Sequence, residues 1–137
     1  MSEKVEFELV SPERLLVSEA VEMVVVPGAE GDFGVLAGHS ATVSSIRPGV
    51  LAVFENGAVT SRVFISGGFA EVTPERCTVL ADEAAALDDL DRAEIEKSLA
   101  DLRDDVEAGR DDAEKKAAEK ALAIAEAKIA ALDSSIY

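Results

Sequence analysis

The residues best suited to chemistry lie in one glycine-rich stretch, residues 27–39, with the sequence PGAEGDFGVLAGH. Glycine-rich loops can bring backbone N–H groups against a phosphate, but such a site also needs a helix N-terminus or a basic side chain. This stretch holds Glu30 and Asp32 and no lysine or arginine, so an anion would be repelled. We therefore expect tight turns between strands, which display the acidic side chains and Phe33 for docking onto a partner.

Groups for catalysis are scarce in the rest of the chain. His39 is the only histidine, and the sequence SGG at residues 66–68 is not the Gly-x-Ser-x-Gly motif of a nucleophilic serine. The single cysteine, Cys77, excludes an internal disulfide and a zinc site of paired cysteines, and it is predicted to be a small buried hydrophobic residue. The acidic clusters DDLD and RDDVE lack an apolar setting that would separate their pKa values. We expect no enzyme, no metal and no cofactor.

The charge balance narrows the range of partners. The chain has 137 residues, with 13 basic and 28 acidic side chains and a net charge of −15. Such a charge repels nucleic acid and anionic lipid, so neither is expected as a partner. The sequence has no run of eighteen apolar residues and no signal peptide at its start, which predicts a soluble protein that is not secreted. The lone cysteine fits a reducing compartment.

The composition changes near residues 81–89. Every proline, and every glycine except Gly109, lies before residue 75, whereas residues 113–131 hold nine alanines in nineteen positions. This change predicts a turn-rich domain over residues 1–86 and a helical one over residues 87–137.

Apolar residues alternate with a period of two in the first region, which indicates strands with one buried face. Asn56-Gly57 between two such segments is a strong signal for a two-residue hairpin turn. Eight segments are predicted as strands: KVEFELV, RLLVS, VEMVVV, FGVLA, VLAVFE, AVTSRVFIS, FAEVT and RCTVLA. Eight or more short strands without helices between them imply an antiparallel sandwich or barrel.

The second region follows a helical period. Asp91 is predicted to cap the first helix, with Glu94 three residues later, and Gly109 to end it in a left-handed conformation. Asp111 and Asp112 can cap a second helix. The predicted stripes are Ile95, Leu99, Leu102 and Val106 on the first helix, and Ala118, Leu122, Ala125, Ile129, Leu132 and Ile136 on the second. A short turn between the helices predicts an antiparallel hairpin, and its alanine-rich stripes predict modest burial.

Five motifs in fixed order resemble the epsilon subunit of the bacterial F-type ATP synthase, a rotary, proton-translocating enzyme. They are FELVSPERLL at 7–16, VPGAEGDFGVLAGH at 26–39, IRPGVL at 46–51, FISGGFAEV at 64–72 and TVLADEA at 78–84. The resemblance covers almost the whole chain. It implies a ten-stranded β-sandwich followed by two helices, in a non-catalytic subunit of the central stalk that couples the catalytic head to the c ring.

The resemblance also implies which residues meet each partner. The segment Glu30, Gly31, Asp32 and Phe33 matches the part of the family that faces the c ring, and Ser11, His39 and Ser44 match positions that face gamma. The family pattern Pro-Gly-His-x-Pro is here Ala37-Gly38-His39-Ser40-Ala41, and the loss of both prolines predicts a less rigid loop. The family places such a subunit peripherally on the cytoplasmic face of the bacterial inner membrane, where it is held only through the complex.

Two further properties of the family concern the hairpin. Some members bind ATP through Ile/Leu-Asp-x-x-Arg-Ala; here Asp89 and Arg92 match, but Asp88 replaces the apolar residue, so a capped helix start is expected instead. An extended hairpin can also contact alpha and beta and inhibit ATP hydrolysis with basic residues on its last helix. Lys115, Lys116 and Lys120 lie early in that helix, which predicts weak inhibition. The alternative is a free-standing interaction module of sandwich and hairpin, without enzymatic activity.

Overall fold

The computed structural model describes residues 3–133 and divides into two compact units, the first ending at Leu87 and the second beginning at Asp88. The first unit contains ten strands. They are β1 Val5–Val10, β2 Leu15–Val21, β3 Met23–Gly28, β4 Gly31–Leu36, β5 Thr42–Ile46, β6 Gly49–Glu55, β7 Ala58–Ile65, β8 Gly68–Val72, β9 Arg76–Ala81 and β10 Ala84–Ala86. A short 3-10 helix, Leu87–Asp89, precedes the helices α1 Arg92–Ala108 and α2 Asp112–Asp133.

The strands follow the order β10-β7-β6-β3-β5-β8-β9-β1-β2, and β4 pairs with β3. The predicted fold class, a β-sandwich followed by a helical hairpin, is confirmed. One pair departs from the antiparallel pattern, because β1 runs parallel to β9 with Phe7 opposite Cys77 and Leu9 opposite Val79. An alternating apolar pattern reads the same in both directions, so it gives no information on strand direction.

The core of the first unit consists of the alternate, inward-facing residues of these strands. Phe7 and Leu9 on β1 are almost fully buried, as are Val24 and Val26 on β3. Two strands, β5 and β10, are absent from the eight predicted segments. The sequence of β5, TVSSI, has polar residues in three of its five positions, and β10 is three alanines, so neither carries a strand signal.

The predicted hairpin at Asn56-Gly57 is confirmed, since β6 and β7 pair up to Glu55 opposite Ala58. Both turn residues have positive φ, +53° at Asn56 and +76° at Gly57, as a type I′ turn requires. The Glu22 carboxylate accepts a hydrogen bond from the Asn56 N–H at 2.8 Å and so fastens this turn to the residue between β2 and β3.

The predicted caps Asp91 and Asp111 are confirmed, whereas Asp112 is the first residue of α2 itself. Asp91 Oδ1 accepts hydrogen bonds from the N–H groups of Ala93 at 3.0 Å and Glu94 at 3.3 Å. Asp111 Oδ1 accepts from the Glu114 N–H at 2.8 Å. These bonds occupy N–H groups that have no partner within the helix, which explains why both helices begin where the acidic residues lie.

The helices pack antiparallel through a thin apolar seam. Ile95, Leu99 and Ala125 are its buried residues, and its partly buried residues are Leu90, Leu102, Leu122, Ile129 and Leu132. Ile136, the last residue of the predicted stripe, lies outside the described residues.

The expected role of Gly109 is wrong. Its φ of −56° and ψ of 126° are open to any residue, so no left-handed conformation requires glycine there. A Cβ at Gly109 would instead lie 2.6 Å from Cγ and 3.2 Å from the backbone nitrogen of Lys115. Glycine thus allows the turn to pass close to the first turn of α2.

Candidate partner-binding surfaces

The glycine-rich stretch forms the β3–β4 hairpin, whose tip is the two-residue turn Ala29-Glu30 between Gly28 and Gly31. A Cβ at Gly28 would lie 2.7 Å from the Gly31 carbonyl oxygen, and Gly31 itself has a φ of +141°. Both positions therefore require glycine, which confirms that these glycines set the shape of a turn. Glu30, Gly31 and Asp32 are exposed at this tip.

Phe33 differs from the expectation of a displayed side chain. It is half-buried, lies opposite Val26, and packs against the core of the sandwich. A Cβ at Gly28 would come within 2.9 Å of the Phe33 ring, so the ring lies over the backbone of the hairpin. Phe33 therefore packs between the hairpin backbone and the core of the sandwich. The centroid of its ring lies 6.5 Å from the centroid of the His39 ring.

Arg47 brings a positive charge to the hairpin from a distant part of the chain. Its Nη1 donates to the Gly28 carbonyl oxygen at 2.5 Å, and its Nη2 donates to Asp32 Oδ1 at 2.5 Å. The segment contains no basic residue in sequence, but the folded hairpin has one in contact with it. No sequence signal pairs Arg47 with Asp32, because fifteen residues separate them and the short strand β5 that joins them was not predicted.

The three residues matched to gamma lie apart from one another. Ser11 follows β1, where its hydroxyl donates to the Arg14 carbonyl oxygen at 3.3 Å. Ser44 lies on β5 opposite the fully buried Ala70, which places it on the inner side of the sheet. His39 follows β4, and its Nδ1 donates to the Ser40 carbonyl oxygen at 2.7 Å.

Ser11 and His39 lie near opposite ends of strand β9. Ser11 follows Val10, which pairs with Leu80 near one end of β9. The Gly38 N–H, next to His39, donates to the carbonyl oxygen of Pro74, which lies in the turn at the other end of β9. Strands rise about 3.3 Å per residue, so the two ends of β9 lie more than about 10 Å apart. Ser11, His39 and Ser44 therefore do not form one compact cluster.

The outer face of the sheet carries an exposed apolar row that sequence analysis did not identify. Phe69 on β8 lies opposite Leu80 on β9, Leu80 lies opposite Val10 on β1, and Val10 lies opposite Leu15 on β2. We call Phe69, Leu80, Val10 and Leu15 the outer apolar row. Phe69 and Leu15 are each 55% exposed and Leu80 is 43% exposed. Large apolar side chains lined up across four strands are typical of a docking surface.

Acidic residues flank this row. Glu8 on β1 and Glu71 on β8 point to the same outer face, one row further along, and both lie opposite Thr78 of β9. Glu8 forms an ion pair with Arg76. Val43 on β5, which is 72% exposed, lies opposite Glu71 and extends the apolar surface. The face thus offers apolar contacts at one end and carboxylates beside them.

Of the two residues of the nucleotide motif, Arg92 is held within the hairpin by ion pairs. Asp89 ends the exposed 3-10 helix. The Arg92 guanidinium forms ion pairs with Asp133 at the end of α2 and with Glu96 one turn along α1, at 3.6 Å for the latter. Its hydrogen bond to Asp133 raises the pKa of Arg92 above the ordinary value. Two carboxylates already occupy this guanidinium, and they oppose the approach of a phosphate.

Cys77 has the surroundings of an inert thiol. Its side chain is fully buried on β9 opposite Phe7 and Val72. Burial raises the pKa of the Cys77 thiol to about 11, so the group is neutral near pH 7 and a poor nucleophile. Within residues 3–133, no histidine, cysteine and carboxylate side chains are grouped as a metal site, and no helix is long and apolar enough to span a membrane.

Both units match known protein families. Residues 4–86 match the family model of the β-sandwich domain of the ATP synthase delta/epsilon chain, and residues 91–136 match that of the C-terminal domain of the ATP synthase epsilon chain. The epsilon chain of Rhodospirillum rubrum is 53% identical over 131 residues, which cover 96% of this chain and 98% of the relative. The epsilon chain of Rhodospirillum centenum is 52% identical over 134 residues, covering 94% and 92%.

Solved structures have the same fold. A chain of the mitochondrial ATP synthase of Euglena gracilis, from a cryo-EM structure of OSCP, F1 and the c ring, superimposes with a TM-score of 0.82 at 32% identity, covering 94% of this chain and 81% of that one. A chain of the central stalk and c ring of the Tetrahymena thermophila enzyme has a TM-score of 0.63 at 18% identity, covering 96% and 98%, which shows likeness of fold alone.

Proposed function

The chain belongs to the epsilon-chain family of the ATP synthase, and on this basis we propose that it couples the catalytic head of the enzyme to the c ring as a subunit of the rotor. It is a non-catalytic subunit of the F-type ATP synthase. The observation that carries the proposal is the match of both units, in order, to the two domains of the epsilon chain.

The sandwich, residues 1–86, is proposed to bind gamma through the outer apolar row. Phe69 and Leu80 lie side by side at one end of this row and together offer aromatic and aliphatic surface, the kind of residue that contributes most to interfaces. Ser11 lies directly after Val10 of this row and is proposed to contact gamma at its edge. His39 and Ser44 are proposed to contact gamma away from the row, as separate points.

The tip of the β3–β4 hairpin is proposed to dock onto the c ring through Glu30, Gly31 and Asp32, with Phe33 as the support beneath. The tip is exposed, narrow and shaped by Gly28 and Gly31. A single exposed ion pair contributes only about 0–1 kcal/mol, so many contacts together are needed to hold the sandwich on the ring while it rotates.

The helical unit, residues 87–137, is proposed to contact alpha and beta when extended, and to inhibit ATP hydrolysis only weakly. Residues 82–137, which include this unit, carry 17 acidic and 8 basic side chains, a net charge of −9. ATP binding at Asp89 and Arg92 is not proposed, because Asp133 and Glu96 already pair with the arginine.

The protein reaches the membrane as part of the ATP synthase complex, and we place it peripherally on the cytoplasmic face of the bacterial inner membrane. The test is reconstitution: membranes stripped of this subunit are supplied with the full chain, and both retention by the complex and coupling of ATP hydrolysis to proton pumping are measured. Retention together with restored coupling is the expected result. A protein that stays in the supernatant would contradict the proposed function.

A further inference from the structure

We propose that Arg47 is the positioning residue of the β3–β4 hairpin: it holds the tip in its docking shape and neutralises Asp32, so that Glu30 is the carboxylate offered to a basic group on the partner. This inference rests on the proposed docking of the hairpin onto the c ring. It assigns different roles to the two acidic residues of the tip, which sequence alone presents as equivalent.

Four contacts anchor the tip around Arg47. The guanidinium spans the hairpin, because one nitrogen donates to the Gly28 carbonyl oxygen on β3 and another to Asp32 Oδ1 on β4, both at 2.5 Å. The backbone N–H of Arg47 donates to the Pro27 carbonyl oxygen at 3.0 Å, and the Ala29 N–H donates to the Ser45 carbonyl oxygen at 2.8 Å. The end of β5 and Arg47 directly after it therefore hold both strands of the hairpin.

The two carboxylates of the tip, Glu30 and Asp32, therefore differ in how far a nearby positive charge balances them. Asp32 is bound to Arg47, and its charge is balanced within the hairpin. Glu30 lies in the turn itself, and its exposed carboxylate forms no hydrogen bond or ion pair within the part of the chain that the structure describes. A basic side chain approaching the tip thus meets the Glu30 carboxylate uncompensated and Asp32 already paired.

A guanidinium suits this position better than an ammonium would. Its planar fork presents separate N–H groups in fixed directions, which lets one side chain bind a carbonyl on one strand and a carboxylate on the other. A lysine at position 47 keeps the charge but has one nitrogen on a flexible chain, so we expect it to retain the pairing with Asp32 and lose the bridge to Gly28.

The first test measures the tip in the free, full-length chain. Amide hydrogen exchange at Ala29 reports whether the hairpin remains fastened to β5. We expect Arg47→Gln to speed this exchange, Arg47→Lys to restore it in part, and exchange at Asn56, in the other hairpin, to be unchanged. Arg62→Gln, which removes an exposed arginine of β7, is the matched control. Unchanged exchange at Ala29 in Arg47→Gln would overturn the positioning role.

The second test measures binding of the full chain to membranes that carry ATP synthase stripped of this subunit, at low and high salt. We expect Arg47→Gln and Asp32→Asn each to weaken binding by up to about fivefold, as loss of an exposed pair allows, and the double variant to be no weaker than either one. Glu30→Gln alone should reduce the salt dependence, because only its charge faces the partner.

The outcomes separate this inference from the proposed function. If the unaltered protein does not bind the membranes, the proposed function fails, while hydrogen exchange at Ala29 still decides the role of Arg47. If the unaltered protein binds and Arg47→Gln binds equally well, the inference fails and the proposed function stands. A salt dependence that falls in Asp32→Asn and not in Glu30→Gln would reverse the assigned roles and overturn the inference.

Discussion

Phe69 and Leu80 lie directly opposite each other on β8 and β9 with 55% and 43% of their surfaces exposed. The side chains next to them along each strand, Ala70 and Val79, are fully buried in the core. The exposure of the pair is thus not a consequence of loose packing, since the same two strands bury their inward residues completely. An apolar pair kept on the outside of a well-packed sheet is explained by a partner that covers it.

Replacing Phe69 with serine should weaken binding of the protein to gamma by roughly fivefold or more, because truncation of an aromatic hot-spot residue costs more than about 1 kcal/mol. Co-purification of gamma with immobilised full-length protein, quantified by titration, measures this. Folding stability should change little, since the side chain is half exposed.

The control for this prediction is Leu36→Ser. Leu36 is 55% exposed, like Phe69, but lies on β4, outside the outer apolar row. It should leave the affinity for gamma within about twofold, as expected of a surface substitution outside the interface. Equal losses of affinity in both variants would show that exposed apolar area in general, and not the row, determines binding.

A shortened protein ending at Ala86 should remain bound to the ATP synthase complex and leave the rate of ATP hydrolysis nearly unchanged. The physical reason is the acidity of the helical unit: of the four lysines on α2, three (Lys115, Lys116 and Lys120) lie in its first half. Steady-state hydrolysis by complexes reconstituted with the full or the shortened protein measures the difference. A many-fold increase on truncation would mean that the helical unit inhibits strongly.

The isolated protein should show no binding of ATP at millimolar concentration, as measured by isothermal titration calorimetry. Arg92 is the basic residue of the nucleotide motif, and its ion pairs with Asp133 and Glu96 leave it surrounded by carboxylates. Asp133→Asn, which removes one of these carboxylates, is the informative second variant. Binding by the unaltered protein that disappears in Arg92→Ala would contradict the prediction.

The Cys77 thiol should resist alkylation in the native protein and destabilise it in alkali. Burial raises its pKa from 9.0 to about 11 in the folded state, so the folded protein keeps the proton that the unfolded one releases. The resulting contribution to stability is fully present below pH 9 and is lost as the pH rises through 11. The shift corresponds to roughly 3 kcal/mol.

This contribution can be isolated by comparing the unaltered protein with Cys77→Ala in urea unfolding at several pH values. Cys77→Ala should be less stable by a constant amount below pH 9, where its smaller side chain alone matters. The gap should narrow between pH 9 and 11. A gap that stays constant across this range would show that the thiol titrates alike in the folded and unfolded states.

Local signals in the sequence predicted much of this fold. Asn56-Gly57 fixes a two-residue turn because both positions take positive φ, and Asp91 and Asp111 cap helices because their carboxylates bind nearby N–H groups. The strand β5 was missed because its hydroxyl-rich sequence carries no alternation. Gly109 was misread because close approach to Lys115, a contact with another element, and not its own φ, requires glycine there.

Most of the strands, both helices, their N-terminal caps and the division into two regions could be predicted from the sequence, because each of these depends on residues close together along the backbone. The order of the strands and the parallel pairing of β1 with β9 became known only from the folded chain, and with them the alignment of Phe69, Leu80, Val10 and Leu15 into one row. It also brought Arg47 against Asp32. These relationships join residues that are distant in sequence. Pairing between distant strands depends on burial of the whole core, and a local sequence pattern carries no information on it.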